Sequence, residues 1–557
     1  MRKDKEDSRK IVGRTKFTFI CFLVAFILLT LRLFWIQFFK NEQYSGSVAR
    51  QHYKTVEKLE ERGDILDRNG ISITNRNKNP YILVHKSLLN VNKAIDIISD
   101  NVDMEKGEVM ELFESSKSIV KLPLKENYDK KINELEGIYK YEEGPRYNNI
   151  LCHLVGYINK SDKSGVAGLE KIYNDVLENE SKKTISVAVD GKKRIIPGIG
   201  FEERNNNKGK NNIKLTIDYE IQKVTEKALG DYGKDGGAIV VDVESGDILA
   251  MASRPKFDQN NIGQYFIENG NGKIKKAENG EFQNRVLEYH YHPGSIFKIV
   301  VLLSALENNE VSLDEEFYCN GSEEVNGVSF ACHLRGGHGK INLEEAFAYS
   351  CNSVFIELGK RLGGKKIIET AEKIGFNNKI KIGDFNQVKG MMPKGDRLLG
   401  AAVGNISIGQ GDVYVTPIQV ANMMTIVANN GIEKNLNILD SIVGDNGYKI
   451  KDLKKYGEKQ VLSSDACTIV KNFMKQVVDI GTANHFDLDG IGGAAGKTGT
   501  AEKDDYSDIK HGWFGGYYPK SQPKYAIVVI IENGGSGGHS AGLVFENIVK
   551  EIYKLKK

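Results

Sequence analysis

Residues 289–303 read YHYHPGSIFKIVVLL and contain the pair of side chains on which the fold and the chemistry depend. The apolar run after Lys298 predicts a buried helix with Ser295 at its N-terminus. Ser295 and Lys298 are three residues apart, so they share one face of that helix. A serine hydroxyl needs an adjacent base to act as a nucleophile, and a lysine in apolar or cationic surroundings can lose its proton and supply one. Because a Ser-x-x-Lys pair arises by chance in many chains, it requires support from elsewhere in the sequence.

Two more motifs occur further along the chain. Ser350-Cys351-Asn352 lies in the predicted helix 342–358, and Lys497-Thr498-Gly499-Thr500 follows the small-residue run 492–496. Either motif alone would indicate no more than an ordinary helix or turn. The order Ser-x-x-Lys, Ser-x-Asn, Lys-Thr-Gly is the signature of the penicilloyl-serine transferases. The three motifs together are too specific for a chance match.

Apolar runs at both ends of the segment that contains the motifs predict its architecture. Four runs predict strands, two before the motifs and two after them: 237–243, 248–252, 513–517 and 525–531. Helices are predicted at 218–229, with Asp218 as the cap, and at 544–555. Strands at the two ends with helices between them predict an α/β sandwich of the mixed α+β kind, whose central sheet joins both ends of the domain.

The N-terminus is predicted to contain a membrane anchor. Residues 17–39 are almost entirely apolar and exceed the roughly 20 residues that a spanning helix needs. Residues 1–16 carry seven basic side chains, which favours a cytoplasmic tail and an extracytoplasmic catalytic domain in a single-pass cell-membrane protein. The alternative, a cleaved signal peptide, is less favoured because the apolar run is long and no A-x-A site follows it.

The sequence after the anchor predicts two domains. Residues 40–212 mix short β-type runs with charged helical stretches and end in the Asn-rich segment 204–212, which is typical of a linker or hairpin tip. We therefore predict a β-rich pedestal domain at 40–212 and a catalytic domain at 213–557.

The net charge of +3 provides no strong basic excess, which argues against a nucleic-acid partner. Six cysteines are too few for a disulfide scaffold.

Several shorter stretches extend the pattern along the chain. They are 62–70 (RGDILDRNG), 165–170 (GVAGLE), 408–411 (IGQG), 416–417 (TP) and 481–483 (GTA). With the three motifs, they make the chain resemble a class B penicillin-binding protein of the elongation or sporulation branch from its anchor to its end. The resemblance implies a monofunctional peptidoglycan D,D-transpeptidase with a penicilloyl-serine transferase catalytic domain. The absence of a glycosyltransferase domain before the pedestal separates the chain from class A.

The resemblance implies how the acyl-transfer chemistry is divided among the motifs. Ser295 attacks a D-Ala-D-Ala stem peptide and Lys298 takes its proton. Ser350, together with Lys497, relays that proton to the leaving amine. Asn352 contacts the substrate amide and orients Lys298. The acyl group then passes to an amine of a neighbouring stem, and β-lactam antibiotics acylate the same serine.

The resemblance also implies how the substrate is held. Thr498, Gly499 and Thr500 bind the terminal carboxylate, and the preceding lysine supplies a positive field. The backbone N–H groups of Ser295 and Thr500 form the oxyanion hole. One departure is visible, because many relatives have Glu before the proline of the first motif where this chain has His292. We expect His292 to be a rim or packing residue rather than a base.

Three cysteines and a histidine suggest a metal site between the first and second motifs. Cys319, Cys332, His338 and Cys351 offer three thiolates and an imidazole, which suit a tetrahedral structural zinc ion. Elongation-type class B proteins resemble this arrangement, with metal ligands in the same region, and His333 is a competing ligand. A disulfide between Cys332 and Cys351 is the first alternative, since an exported domain meets an oxidising space. Inert buried thiols are the second.

Other functions remain open from the motifs. A D,D-carboxypeptidase uses the same groups with water as acceptor, although the pedestal and anchor favour cross-linking. A β-lactamase of class A would need a separate deacylating Glu, for which no convincing counterpart is visible, and a β-lactam-insensitive resistance transpeptidase is a further alternative. A sensor or scaffold would carry a cytoplasmic effector domain, whereas the tail here is short. The resemblance also implies a partner, a membrane-embedded glycosyltransferase of the shape, division or sporulation type, which we expect to contact residues 17–70.

Overall fold

The chain folds into two compact units. The computed structural model describes residues 2–39, 53–60, 62–86, 89, 91–115, 119–135, 137–178, 182–190, 196, 201–205, 209–268, 274–276, 280–502 and 509–557. The first unit consists of Met1–Glu61, Lys78–Glu143 and Glu180–Lys208, and the second of Arg62–Asn77, Gly144–Asn179 and Gly209–Lys557.

Two segments of the predicted pedestal, 62–77 and 144–179, belong to the second unit. The strand Ile65–Leu66 pairs in parallel with Asn211–Leu215, and the N–H of Gly63 donates to the carbonyl of Leu177. These backbone hydrogen bonds tie the two segments to the unit that contains the motifs. Each unit is therefore assembled from segments that alternate along the chain, whereas the predicted boundary after residue 212 divides the chain once.

The described residues of the first unit form two antiparallel sheets of three strands each. In spatial order the first has Tyr53–Glu60, Lys182–Ala188 and Phe201–Asn205, and the second has Ile119–Pro123, Asn79–His85 and Ile138–Glu143. The helices Val91–Asn101 and Lys106–Ser115 and the 3₁₀ turn Lys130–Glu134 complete it. Ile82, Val84, Ile98 and Phe113 form part of one buried cluster between the second sheet and these helices.

A long N-terminal helix, Arg2–Phe39, also belongs to this unit. Its segment Gly13–Phe38 has 26 residues and a mean hydropathy of 2.6, which make it long and apolar enough to cross a membrane. Among the residues that the structure describes, it is the one helix that meets both criteria. The predicted span 17–39 lies within this helix.

The second unit is built on a five-stranded antiparallel sheet. In spatial order its strands are Ile248–Arg254, Gly236–Asp242, Tyr525–Ile531, Lys510–Tyr518 and Ala495–Glu502. The strands come from the two ends of the catalytic segment, as the sequence predicts. The last of them contains the Lys-Thr-Gly motif and forms one edge of the sheet.

Helices cover both faces of this sheet. Neighbouring residues on a strand point to opposite faces. The ring of Phe514 lies 4.4 Å from that of Phe545, in the C-terminal helix Ala541–Lys556. A side chain at the next residue, Gly515, would meet Met424 in the fully buried helix Pro417–Ala428. The predicted α/β sandwich is therefore confirmed.

The other elements of the second unit surround this sandwich. The helices are Cys152–Val155, Gly168–Ile172, Asn174–Leu177, Tyr219–Tyr232, Lys298–Glu307, Leu343–Ala348, Asn352–Lys373, Ala402–Ser407 and Ser464–Asp479. A four-stranded sheet has the order Lys449–Asp452, Leu439–Gly444, Asn211–Leu215 and Ile65–Leu66. Two-stranded ribbons pair Phe266–Glu268 with Ile274–Lys276, Glu316–Cys319 with Gly339–Asn342, Ser322–Val325 with Val328–Ala331, and Ile432–Lys434 with Glu458–Gln460. Short 3₁₀ turns occur at Ile262–Tyr265, Gly294–Phe297, Gly395–Leu398 and Asp489–Ile491.

A buried carboxylate joins two of the shorter sequence stretches. Glu170, from the GVAGLE stretch, is fully buried. It accepts hydrogen bonds of 2.6 Å from Nε of Arg62, in the RGDILDRNG stretch, and from Nε of Arg146. The hydroxyl of Tyr147 donates to the same carboxylate at 3.1 Å. Two guanidinium cations thus compensate the charge of the buried carboxylate and a phenol donates a further hydrogen bond to it, which fixes both stretches within the second unit.

Candidate active site

The first motif forms a short turn that opens a buried helix. Gly294–Phe297 is a 3₁₀ turn and continues directly into the helix Lys298–Glu307. We call Gly294–Phe297 the nucleophile turn. Ile296 and Phe297 are fully buried, whereas Ser295 is partly exposed. Because the first N–H groups of a helix have no partner inside the helix, the N–H of Ser295 is available to a ligand, as the oxyanion-hole prediction requires.

Lys298 is fully buried and makes three hydrogen bonds. Its Nζ donates to the carbonyl of Ser350 at 2.7 Å, to the hydroxyl of Ser350 at 3.1 Å, and to Oδ1 of Asn352 at 2.7 Å. Burial lowers the pKa of Lys298 to about 8. The amine is therefore held at one point and is easier to deprotonate than an ordinary lysine.

The second motif lies at a break between two helices, so the prediction of a continuous helix over 342–358 is wrong. The first helix, Leu343–Ala348, begins with a capping box formed by Asn342 and Glu345, and the second begins at Asn352. Between them Ser350 has a φ of +59°, which non-glycine residues adopt at a cost of about 1–3 kcal/mol. The carbonyl of Ser350 is turned to Lys298 instead of continuing the helical ladder.

Asn352 connects the second motif to the rest of the cleft. Its Oδ1 accepts from Lys298, and its Nδ2 donates to the carbonyl of Ala331 at 3.0 Å. The predicted orienting role towards Lys298 therefore has a direct contact. An amide nitrogen has two N–H groups, so one remains for a substrate carbonyl.

The third motif lies on the edge strand Ala495–Glu502, which we call the K-T-G strand. Its outer side meets the nucleophile turn. A side chain at Gly294, where φ is +53°, would lie 2.5 Å from the carbonyl oxygen of Thr500. A side chain at Gly499 would lie 2.9 Å from the carbonyl oxygen of Pro293. Glycine at both positions lets the turn and the strand approach closely, which places Ser295 beside Thr500.

Lys497 is also fully buried, beside the ring of Phe347 at 5.6 Å from its centroid. Burial, and then the nearby charge of Lys298, lower the pKa of Lys497 well below its usual value. Two amines thus share one poorly hydrated region. A bound carboxylate would stabilise the protonated form of Lys497, so the predicted positive field depends on an anion in the cleft.

The hydroxyl groups of the K-T-G strand have partners that sequence reasoning missed. Thr500 Oγ1 accepts a hydrogen bond of 3.1 Å from the N–H of Gly537. Thr498 is buried, and its Oγ1 lies 2.6 Å from Oγ1 of Thr482. The GTA stretch 481–483 was the available signal for Thr482, but the pattern does not show which residue it would contact.

His292 packs beneath the nucleophile turn. It is buried, its Nδ1 donates to the carbonyl of Val413 at 3.0 Å, and its ring lies 4.1 Å from that of Tyr414. The carbonyl of His292 accepts from Nε1 of Trp513 at 3.0 Å. These contacts agree with a packing residue rather than a base.

The four predicted metal ligands come together beside the second motif. The donor atoms of Cys319, Cys332, His338 and Cys351 all lie within 4.8 Å of one another. The Sγ atoms of Cys332 and Cys351 are 3.9 Å apart, and Sγ of Cys332 is 3.6 Å from Nδ1 of His338. A tetrahedral zinc ion with ordinary bond lengths would require about 3.8 Å between sulfurs and about 3.6 Å between sulfur and nitrogen. The donor set therefore fits zinc, and His333 does not belong to the group.

Two thiols of this group, Cys332 and Cys351, are hydrogen-bonded to each other. The hydrogen bond between Cys332 and Cys351 lowers the pKa of Cys332 and raises the pKa of Cys351. Cys351 lies between Ser350 and Asn352 in the chain, and Cys332 follows Ala331, which accepts from Asn352. The cluster is thus directly joined to residues that hold Lys298.

Comparison with known proteins agrees with this geometry. Residues 236–553 match the family model described as the penicillin binding protein transpeptidase domain. The stage V sporulation protein D of Bacillus subtilis (strain 168) is 28% identical, over 97% of this chain and 85% of its own length. The peptidoglycan D,D-transpeptidase MrdA of Acinetobacter baumannii is 24% identical, over 97% of this chain and 88% of its own length.

A solved structure extends the likeness of the fold over almost the whole chain. A chain from a study of the structural coordination of polymerization and crosslinking by a peptidoglycan synthase complex superposes with a TM-score of 0.70. The match is 21% identical and covers 98% of this chain and 99% of that chain. The family model spans more than half of the present chain and includes all three motifs. The chain therefore belongs to the penicillin-binding protein transpeptidase family.

Proposed function

We propose that this chain is a class B peptidoglycan D,D-transpeptidase that works through an acyl-enzyme on Ser295. The observation that carries the proposal is the position of Lys298. Its amine is fully buried, one helical turn from the nucleophile, and all three of its hydrogen bonds go to uncharged oxygens of Ser350 and Asn352. Such an amine can exist in the neutral form that a general base requires.

The proposed reaction begins when Ser295 Oγ attacks the carbonyl carbon of the penultimate D-Ala and Lys298 takes the hydroxyl proton. The resulting oxyanion accepts from the N–H groups of Ser295 and Thr500, each worth on the order of 3 kcal/mol to the transition state. Breaking the amide bond releases D-Ala, whose nitrogen receives a proton from Lys298 through Ser350. An amine of a neighbouring stem then attacks the ester, its proton returns along the same route, and Ser295 is regenerated.

The substrate carboxylate is proposed to bind at the outer side of the K-T-G strand. The hydroxyl groups of Thr498 and Thr500 donate to it, and Gly499 lets the strand lie close to the nucleophile turn. Lys497 becomes protonated as the anion enters. This arrangement explains why a β-lactam, which carries a carboxylate beside a reactive amide, would acylate the same serine.

The test is acylation of the detergent-solubilised full chain by a fluorescent penicillin, followed by mass spectrometry. One covalent adduct is expected on the wild-type chain and none on Ser295→Ala. Incubation with nascent glycan strands should then yield cross-linked stems as the main product. An adduct on another side chain would refute the assignment of the nucleophile. Stems that have lost the terminal D-Ala but carry no cross-link would indicate a D,D-carboxypeptidase, in which water accepts the acyl group.

We also propose that Cys319, Cys332, His338 and Cys351 bind a structural zinc ion. The fit of their donor atoms to a tetrahedral ion supports this. When bound, zinc would supply a rigid cross-link between the strand Glu316–Cys319 and the turn that contains Cys351. The residues themselves position Ser350 and Asn352, and no step of the acyl transfer involves the ion.

The zinc proposal is tested without measuring activity. Metal analysis of the purified full chain should give one zinc per chain, and its intact mass should correspond to fully reduced cysteines. A metal-free chain whose mass is lower by two hydrogens would instead indicate the Cys332–Cys351 disulfide. A metal-free chain with reduced thiols would indicate inert packing.

We further propose that residues 1–16 are cytoplasmic and the catalytic unit extracytoplasmic. The basic charge of the tail supports this orientation, because basic residues are retained on the cytoplasmic side. In intact cells, a membrane-impermeant label should reach a tag after Lys557 but not a tag before Met1. The reverse pattern would overturn the proposed orientation.

The partner is proposed to be a membrane-embedded glycosyltransferase that contacts residues 17–70. Similarity of the whole chain to a chain from a peptidoglycan synthase complex supports it. Residues 62–70 also build the second unit, so a clean test replaces 17–39 alone with an unrelated single span. Loss of glycosyltransferase co-purification, with penicillin acylation unchanged, is expected. Unchanged co-purification would argue against a contact in the membrane.

A further inference from the structure

Thr482 is a half-buried residue that contacts Thr498, one of the two threonines proposed to bind the substrate carboxylate. Its Oγ1 lies 2.6 Å from Oγ1 of Thr498. Its own N–H donates to the carbonyl of Ala348 at 3.2 Å. A side chain at Gly538 would lie 2.7 Å from the carbonyl oxygen of Thr482, and one at Gly481 would overlap the carbonyl oxygen of Ala348. The backbone around Thr482 is thus held closely, so its hydroxyl has a fixed position.

The contact between Thr482 and Thr498 determines which hydrogen bonds the hydroxyl of Thr498 can still make. A threonine hydroxyl has one donor and two acceptor positions. Thr500 Oγ1 accepts from the N–H of Gly537, which leaves its hydrogen for another partner. If the hydroxyl of Thr482 donates to Thr498, the hydrogen of Thr498 is free in the same way. Both threonines of the K-T-G strand then direct their single hydrogen to the bound anion.

We propose that Thr482 is a positioning residue for carboxylate recognition, which rests on the proposed function of the K-T-G strand. By donating to Thr498, it turns that hydroxyl towards the substrate and polarises it, since hydrogen bonds in a chain strengthen one another. The contribution is to binding of the carboxylate and not to the chemical step at Ser295. The substrate class that depends on it is a D-amino-acid terminus, or a β-lactam, with a free carboxylate.

The experiment separates binding from chemistry in the acylation of the full chain. For Thr482→Val, which keeps the shape of the side chain, the dissociation constant of benzylpenicillin before acylation should rise about tenfold, the effect of weakening a hydrogen bond to a charged group. The first-order acylation rate should change by less than about twofold. Thr482→Ser retains the hydroxyl and should restore the wild-type constant. Thr425→Val, a buried threonine in the helix Pro417–Ala428, serves as the matched control and should leave it unchanged.

A penicillin methyl ester separates a loss of carboxylate recognition from a general structural effect, because a general effect would weaken binding of the ester as well. The ester lacks the negative carboxylate, so its affinity should be the same in the wild type and Thr482→Val. An equal loss of affinity for acid and ester would overturn the inference, as would an unchanged constant for benzylpenicillin. Failure of the wild-type chain to form an adduct would instead refute the proposed function, and Ser295→Ala run in parallel distinguishes that case.

Discussion

The amine of Lys298 donates a hydrogen bond of 2.7 Å to the side-chain oxygen of Asn352, which joins the first motif to the second. Burial lowers the pKa of Lys298 to about 8. The amide oxygen of Asn352 carries no formal charge, so it positions the amine without favouring the protonated form as a carboxylate would. The same neighbour thus fixes the base and leaves it easy to deprotonate.

The acylation rate is therefore expected to rise with pH, with a midpoint near the Lys298 pKa of about 8. Only the neutral amine can accept the proton of Ser295, so the rate is low below this midpoint and reaches a plateau above it. Asn352→Asp places an anion on the amine and should raise its pKa by about 1–3 units. The midpoint should move upwards and the rate at neutral pH should fall about tenfold or more. Rapid-mixing measurements with a fluorescent penicillin across the neutral and alkaline range provide the profile.

Asn352→Ala is the control for this shift. It removes the amide without adding charge, so it should slow acylation without moving the midpoint to higher pH. Equal midpoints in Asn352→Asp and the wild type would show that Lys298 is not the group that titrates.

The IGQG stretch also contacts the nucleophile turn, which gives a second prediction. The N–H of Gly294 donates to the carbonyl of Gly409 at 3.0 Å. A side chain at Gly409 would overlap the carbonyl oxygen of Gly294 and lie 2.7 Å from Cβ of Phe297. Gly409→Ala should therefore displace the turn and reduce the acylation rate about 100-fold, the effect of losing one oxyanion-hole donor.

Gly411 offers a control from the same stretch. Its φ of +68° almost equals the +70° of Gly409, so alanine causes similar backbone strain at both positions. The nearest atoms that a side chain at Gly411 would meet belong to the side chain of the exposed Asn405, at 3.2 Å and beyond. Gly411→Ala should acylate within about threefold of the wild type, since exposed neighbours adjust at little cost. Equal losses in both variants would assign the effect to strain and not to the contact with the turn.

The sequence predicted the catalytic unit well because its signals are local and periodic. Apolar runs at the two ends of the catalytic segment identified four of the five strands of the central sheet, and the spacing of Ser295 and Lys298 identified one face of a helix. The family resemblance carried by the three motifs implied which residues meet in the cleft. The short distance between Lys298 and Asn352 was expected from that resemblance and not from any feature of the intervening sequence.

The features that the sequence did not predict have a different physical origin, because they depend on contacts between distant segments. The helix at 342–358 breaks because the carbonyl of Ser350 is turned to Lys298, a residue 52 positions away. The segments 62–77 and 144–179 join the second unit through backbone pairing with distant residues. Thr482 acquires its place through a hydroxyl contact with Thr498. Apolar periodicity reports burial and cannot indicate which polar partner a residue will meet.

The buried carboxylate of Glu170 gives a third prediction, concerning stability. Glu170→Ala would leave the guanidinium groups of Arg62 and Arg146 without their common anion in a buried site. Removing one partner of a buried ion pair costs about 3–5 kcal/mol, so the midpoint of thermal unfolding should fall clearly and the fraction of chain that binds penicillin should decrease. The exposed Glu178 is the control, and Glu178→Ala should change stability by less than about 0.5 kcal/mol. Similar unfolding midpoints for the two variants would contradict a stabilising role for the cluster.

Exchanging single cysteines gives a fourth prediction, which tests the metal proposal residue by residue. Cys332→Ser removes one of four donors, so bound zinc should fall from one per chain to a small fraction. The thermal midpoint should fall with it, because binding energy at a structural site is also folding energy.

Cys467 is just as buried but lies outside the donor group, in the helix Ser464–Asp479. Cys467→Ser should therefore retain the metal. Zinc content and unfolding midpoints of the two variants, measured with and without a chelator, provide the check. Retention of zinc by Cys332→Ser would exclude its thiol as a ligand, whereas loss of zinc from Cys467→Ser would show that the metal responds to general destabilisation rather than to its donors.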